Sequence, residues 1–177
     1  MSVIVDGFLI QEKLEVALKA IVGYGWKGRE IVIPGTQKRW DMAFEKNGQT
    51  FIIEYDGDEH YRNSLAIKTD KHKDLIARNL GFITVRIPYW IQLTNETFIH
   101  YFGFDANINI IQSFPHGFIT TVFFPASYCE MGIDRFINEI NILPDNVKNS
   151  VIKSLKKKVK IYGVEYILPK QLRSLIY

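Results

Sequence analysis

The residue pattern predicts an α/β protein of the α+β kind, organised on one mixed sheet. Three features carry that expectation. Two strictly alternating runs, KRWDMAFE (38–45) and QTFIIEYD (49–56), flank Asn47-Gly48, a strong short hairpin signal. A helical run, SLAIKTDKHKDLIARNLG (64–81), separates the second of these from another strand, FITVRIP (82–88). The stretch 49–88 therefore reads as a β-α-β unit, whose two strands should be parallel and whose crossover should be right-handed.

The other elements follow in order. QEKLEVALKAIV (11–22) places Leu14, Leu18 and Ile21 at helical spacing, and Gly23 and Gly25 end it. GREIVIPG (28–35) reads as a short strand stopped by Pro34-Gly35. Pro88 closes the strand 82–88, and WIQLTNETFIHYFG (90–103) reads as helical. The core order is then α-β-β-β-α-β. Beyond residue 103, INIIQSF and FITTVFF read as strands and ASYCEMGIDRFINEI as a helix. LPDNVKNSVIKSLKKKVK reads as a capped helix, and YGVEYIL as a last strand. The expected organisation is a core at 1–103 and a C-terminal extension at 104–177 packed on it.

A chain of 177 residues with 47% hydrophobic and 14% aromatic residues has material for a core, which argues against overall disorder. Cys129 is the single cysteine, so neither an intramolecular disulfide nor a thiolate metal cluster is available. MSVIVDGFLIQEK does not have the pattern of a signal peptide, and no uncharged apolar run approaches ~20 residues. An intracellular protein without a membrane partner is expected. The net charge is only +3, but residues 146–177 carry eight Lys/Arg against one acid. A basic tail beside an acidic body suits a metal site next to a polyanion contact, or an ordinary solvated lysine face.

The hairpin raises an electrostatic problem. With Asn47 and Gly48 as the turn, residue 46 faces 49 and Asp41 faces Glu54. Directly opposed Cβ atoms lie roughly 4.5–5.5 Å apart. Asp56 falls two residues beyond Glu54 on the same face, so three carboxylates are expected on one patch. Trp40, Met42, Phe44, Phe51, Ile53 and Tyr55 occupy the opposite face and account for burial. Opposed like charges destabilise a ladder unless they take up protons or a cation, and hard oxygen ligands suit Mg²⁺ or Mn²⁺. The competing reading is an exposed hairpin whose acids point into water beside Arg39 and lysines. On the next helix, Asp70 and Lys73 share a face that Ala77 continues, so Lys73 is placed to act on a water or a phosphate, or to be a surface lysine.

These residues resemble the PD-(D/E)XK restriction-endonuclease-like superfamily. Glu54-Tyr-Asp56-Gly57-x-x-His60 is similar to the E-x-D-G-x-x-H block of its very-short-patch-repair endonuclease-like group. Asp70-x-x-Lys73, followed by Leu80-Gly81-Phe82-x-x-Val85-Arg86, is similar to the group's next block. The likeness covers about residues 10–90. It implies a restriction-endonuclease-like αβββαβ core and Mg²⁺-dependent (or Mn²⁺-dependent) hydrolysis of DNA phosphodiesters. It implies no organic cofactor. Asp41, Glu54 and Asp56 become metal ligands, although Asp56 stands where many members have lysine, and Lys73 becomes a migrated lysine. Glu12, with Glu15 as its rival, takes the place of a first-helix glutamate, and His60 that of a base or phosphate contact. The alternative is a non-catalytic nucleic-acid-binding module or a subunit of a larger nuclease. Lys71, Lys153, Lys156, Lys157 and Lys158 are the candidate DNA contacts. The extension is a candidate for reading DNA, forming a homodimer or docking a partner.

Overall fold

The computed structural model describes residues 2–118 and 123–177. Its centre is the hairpin formed by β3 (Arg39–Lys46) and β4 (Gln49–Asp56). Asn47 and Gly48 both adopt positive φ, 52° and 75°, as a two-residue turn matched to strand twist requires. The register is the expected one, from Lys46↔Gln49 through Met42↔Ile53. β2 (Trp26–Val32) adds antiparallel to β3, and β5 (Ile83–Pro88) adds parallel to β4, so the four-stranded sheet is mixed, in the order β2-β3-β4-β5.

Helix α1 (Gln11–Val22) precedes this sheet. A short helix α2 (Glu59–Arg62) and helix α3 (Ser64–Asn79) provide the parallel crossover. Asn63 starts α3 by accepting the Leu65 N–H, and the chain turns back through Gly81. β1 (Ser2–Val5), which the alternation left unassigned, pairs in parallel with β6 (Asn109–Gln112) as a separate two-stranded sheet. Helix α4 (Asn95–Phe102) lies between β5 and β6; α5 (Glu130–Ile142), α6 (Asp145–Tyr162) and α7 (Val164–Ile167) follow. No described helix is long and apolar enough to cross a membrane.

Three expectations are corrected. The helix expected over 90–103 begins only at Asn95. Thr94 and Thr97 form a reciprocal cap there, while Trp90, Ile91 and Leu93 are buried in non-helical chain. YGVEYIL is not a strand: Gly163 ends α6 and the next four residues form α7. Trp40 does not share a face with Met42 and Phe44. Pairing of β3 to β4 stops at Met42, and beyond it Trp40 packs with Ile33, Ala43, Ile52 and Ala77. The expected strand FITTVFF falls largely on 119–122, outside the described residues. The helix expected over 126–140 is present as α5 but begins only at Glu130, after a short 3-10 turn at Pro125–Ser127.

The sheet separates two apolar clusters. Met42, Phe44, Phe51, Ile53, Val85 and Ile87 join a large cluster that includes Leu14 and Leu18 of α1 and Phe136, Val151 and Leu155 beyond residue 103. The smaller cluster lies under α3. The α3 residues facing the sheet are Ile67, Asp70, Lys73 and Ala77. That interface is apolar where Ala77 meets Ile52 and ionic farther along, where Glu54 and Asp56 follow Ile52 on the same side of β4. The apolar end anchors the helix, and the ionic end pairs Lys73 with Glu54.

α5 is held against α2 by close backbone approach. Cys129 N–H donates to the Tyr61 carbonyl at 3.0 Å. A Cβ on Gly132 would fall 1.8 Å from the same Tyr61 oxygen. Gly132→Ala must therefore push α5 away, and we expect a loss of about 3 kcal/mol, measured by urea unfolding. An unchanged midpoint would show that this approach is not tight.

Candidate active site

Asp41 and Glu54 lie one residue beyond the last paired rung of the hairpin, Met42↔Ile53. Oδ2 of Asp41 accepts the backbone N–H of Tyr55 at 2.8 Å. The side chain thus replaces a backbone acceptor where β3 parts from β4. Glu54 is only 2% exposed, and its Oε1 is buried without an aligned hydrogen bond. Lys73, reaching across from α3, is its ion-pair partner. Burial raises the Asp41 carboxyl above the usual range, against the lowering effects of the Tyr55 N–H and of Lys73. Burial, then the charge of Asp41, pushes Glu54 up to about 7, again opposed by Lys73. A half-buried and a buried acid sharing one ammonium thus have an excess of negative charge.

Asp56 takes a different part in the cluster. Its side chain is fully buried, and Arg86 Nη1 donates to Oδ1 at 2.8 Å and to Oδ2 at 3.1 Å. Arg135, delivered by α5, closes on Oδ2 from the other side. Arg86 also grips Asp74, with Nη2 2.9 Å from Oδ1. Arg135 also donates to Asp70 Oδ2 at 3.2 Å and to Glu139 at 2.7 Å, and its guanidinium stacks over the Tyr61 ring. Asp56 remains within electrostatic reach of Asp41, but two arginines bind its oxygens.

His60 completes this second cluster. Nδ1 lies 2.7 Å from Asp70 Oδ2 and 3.4 Å from Asp56 Oδ1. Burial pulls its pKa down, but the bond to Asp70 and the charges of Asp56 and Asp70 outweigh that and raise it. Burial pushes Asp70 up, yet His60 and the two arginines bring it below the usual range. Ligand atoms of Asp56, His60 and Asp70 lie within 4.8 Å of one another, a span that suits a metal ion. The arginines already supply their counter-charge.

The remaining candidates fall elsewhere. Glu12 is exposed on α1. Its charge acts on Tyr55, whose phenol is pushed up to about 12 by burial first and Glu12 second, and the structure does not bring it into the ion pairs around Glu54. Glu15 pairs with Lys19 and Arg29. Lys71 is exposed and lines a cleft of about 290 Å³ with Asp70, Asp74, Arg86, Arg135 and Glu139. Lys153 and Lys157 line a groove on α6 with His116, Lys156 is exposed, and Lys158 lies over the rings of Phe124 and Tyr162.

Arg135 escaped the sequence reading. Its one local signal is a polar i,i+4 pair with Glu139 beside the buried stripe Gly132, Phe136 and Ile140. Arg86, inside the apolar run ITVRIP, entered the sequence reading only as the end of the block Leu80-Gly81-Phe82-x-x-Val85-Arg86, without its partners. Compared with known families, curated proteins and solved structures, the chain matches none.

The raised Glu54 pKa fixes the sign of a pH effect. The folded state holds this proton more tightly than the unfolded chain, whose value is 4.5. The group's contribution is therefore fullest below pH 4.5 and is lost as pH rises through about 7. Glu54→Gln should flatten the decline in unfolding free energy across that window by up to about 3 kcal/mol, followed by urea unfolding over a pH series. Parallel curves for the two proteins would contradict the assignment. Arg135→Met should cost about 3 kcal/mol at neutral pH, because it leaves buried carboxylates short of a partner; a thermal melt with the wild-type midpoint would show that Arg135 is dispensable.

Proposed function

We propose that the chain is a divalent-metal-dependent phosphodiester hydrolase acting on DNA. The observation that carries this reading is the approach of half-buried Asp41 to buried Glu54, with Lys73 on Glu54. The order α1-β2-β3-β4-α3-β5 and the mixed sheet are compatible with a restriction-endonuclease-like core and support it further.

The residues fit one hard cation. Asp41 uses Oδ2 for the Tyr55 N–H, which leaves Oδ1 for a ligand; Lys73 pairs with Glu54 through Oε1, which leaves Oε2. Carboxylate oxygens are the donors Mg²⁺ and Mn²⁺ favour. Held there, such an ion would supply Lewis-acid stabilisation of phosphoryl oxygens and acidify a bound water.

The chain's own groups do the rest. The Tyr55 N–H orients Asp41, so that carboxylate is fixed before substrate arrives. Lys73, drawn to Glu54 from α3, presents positive charge to a phosphate drawn onto the pair. Glu54, with its pKa near 7, is partly protonated at neutral pH and would give that proton up where a cation takes its carboxylate. His60, half-buried with Nδ1 engaged by Asp70, has Nε2 for a phosphate oxygen. Arg86 and Arg135 hold Asp56, and through it the end of β4.

A second reading, a non-catalytic nucleic-acid-binding module, draws support from Glu54 being 2% exposed and ion-paired, and from the arginines on Asp56. One experiment separates them. Supercoiled plasmid, linear DNA and RNA are incubated with Mg²⁺, Mn²⁺ or EDTA. The nuclease reading expects DNA nicking or linearisation with either metal and none in EDTA. Asp41→Asn, which keeps an acceptor for the Tyr55 N–H, should lower the rate more than ~100-fold without unfolding the protein. Metal-independent cutting, or undiminished cutting by Asp41→Asn, would reject it. Binding without cutting would favour the module.

A further inference from the structure

We infer that the groove between the Pro115-His116 turn and α6 is a docking track for the sugar-phosphate backbone of DNA. The inference deepens the nuclease reading and rests on it for the choice of DNA over other polyanions. The groove has a volume of about 530 Å³ and is lined by Pro115, His116, Asn146, Asn149, Ser150, Lys153, Ser154 and Lys157. Among the described residues that line it there is no Asp or Glu. The α6 members recur at steps of three and four residues, so they form one stripe along the helix. The stripe from 146 to 157 rises about 16 Å, long enough for a strand rather than a single small anion.

The groove is built rather than incidental. Ser150 Oγ donates to the His116 carbonyl at 3.1 Å, and Gly117 N–H donates to the Trp90 carbonyl at 2.8 Å. A Cβ on Gly117 would lie 2.2 Å from that of Ser154, so turn and helix are in close contact. His116 Nδ1 accepts the Gln92 N–H at 3.0 Å. In the neutral imidazole the proton must then sit on Nε2, which makes His116 a donor suited to a phosphate oxygen.

The same geometry sorts the lysines. Lys153 and Lys157 stand one turn apart in the groove, and neither forms an ion pair among the described residues. Lys158 is spent on the rings of Phe124 and Tyr162, and Lys156 does not line the groove. Glu96, bonded by Asn146, marks the acidic end of the track.

The test is fluorescence anisotropy of a labelled DNA duplex in EDTA, across roughly 50–200 mM salt. Wild type should bind with a steep salt dependence. Lys153→Ala/Lys157→Ala should lower the slope of log K against log salt by about 2 and weaken binding at least tenfold. Asn149→Asp, which adds a carboxylate to the groove, should weaken binding with the fold intact by circular dichroism. Lys27→Ala/Lys38→Ala, at exposed positions outside it, should leave the slope unchanged. No binding by wild type, an unchanged slope in the groove variant, or an equal drop in the control pair would overturn the track. Metal-dependent cutting with an unchanged groove slope would reject the track alone. A groove-dependent slope in a protein that never cuts DNA would reject the nuclease reading alone.

Discussion

The two-residue turn at Asn47-Gly48 forces a conflict that organises much of the surrounding chemistry. It sets a register in which Asp41 and Glu54 meet at the end of the β3–β4 ladder. Neither acid can escape: Asp41 caps the Tyr55 N–H, and Glu54 is sealed beneath α3. Shifting one strand by one residue would relieve the repulsion but turn either Phe44 of β3, or Phe51 and Ile53 of β4, out of the core. Apolar burial therefore holds the carboxylates together, and the charge must be answered by Lys73, a proton or a cation.

The neighbouring charges follow the same logic on a larger scale. Arg86 from β5 and Arg135 from α5 satisfy Asp56 and Asp70, and His60 is drawn in between. Because Arg135 comes from beyond residue 103, the C-terminal part of the chain belongs electrostatically to the sheet it covers. Tyr61 joins the two through its stack on Tyr128 and its hydrogen bond to Glu139 at 2.5 Å. One hydrophobic cluster running from Val3 to Ile176 makes the same connection in apolar terms.

What could be read in advance was local. The hairpin register, the β-α-β unit and the stripe Asp70, Lys73, Ala77 depend on turn chemistry and periodicity, which neighbouring residues determine. The approach of Lys73 to Glu54 was one of two readings they left open, the other being a surface lysine, and the packing of α3 on the sheet decides between them. What could not be read was the destination of long charged side chains. Asp56 looked equivalent to Glu54 on pattern, but two arginines distant in sequence claim it. The β1–β6 pairing joins residues about a hundred positions apart, and SVIV is too short to declare itself. YGVEYIL has strand-like composition, but a glycine and the end of a long helix direct it into another helical turn.

Calorimetric titration of the wild-type protein with Mn²⁺ at neutral pH tests the central claim most directly. The account predicts one saturable site, with a heat that depends on the ionisation enthalpy of the buffer because Glu54 sheds a proton as the ion binds. It also predicts loss of that site in Asp41→Asn. A protein that takes up no Mn²⁺, or binds it equally well without the Asp41 carboxylate, would contradict the claim that this strand pair is built to hold a cation.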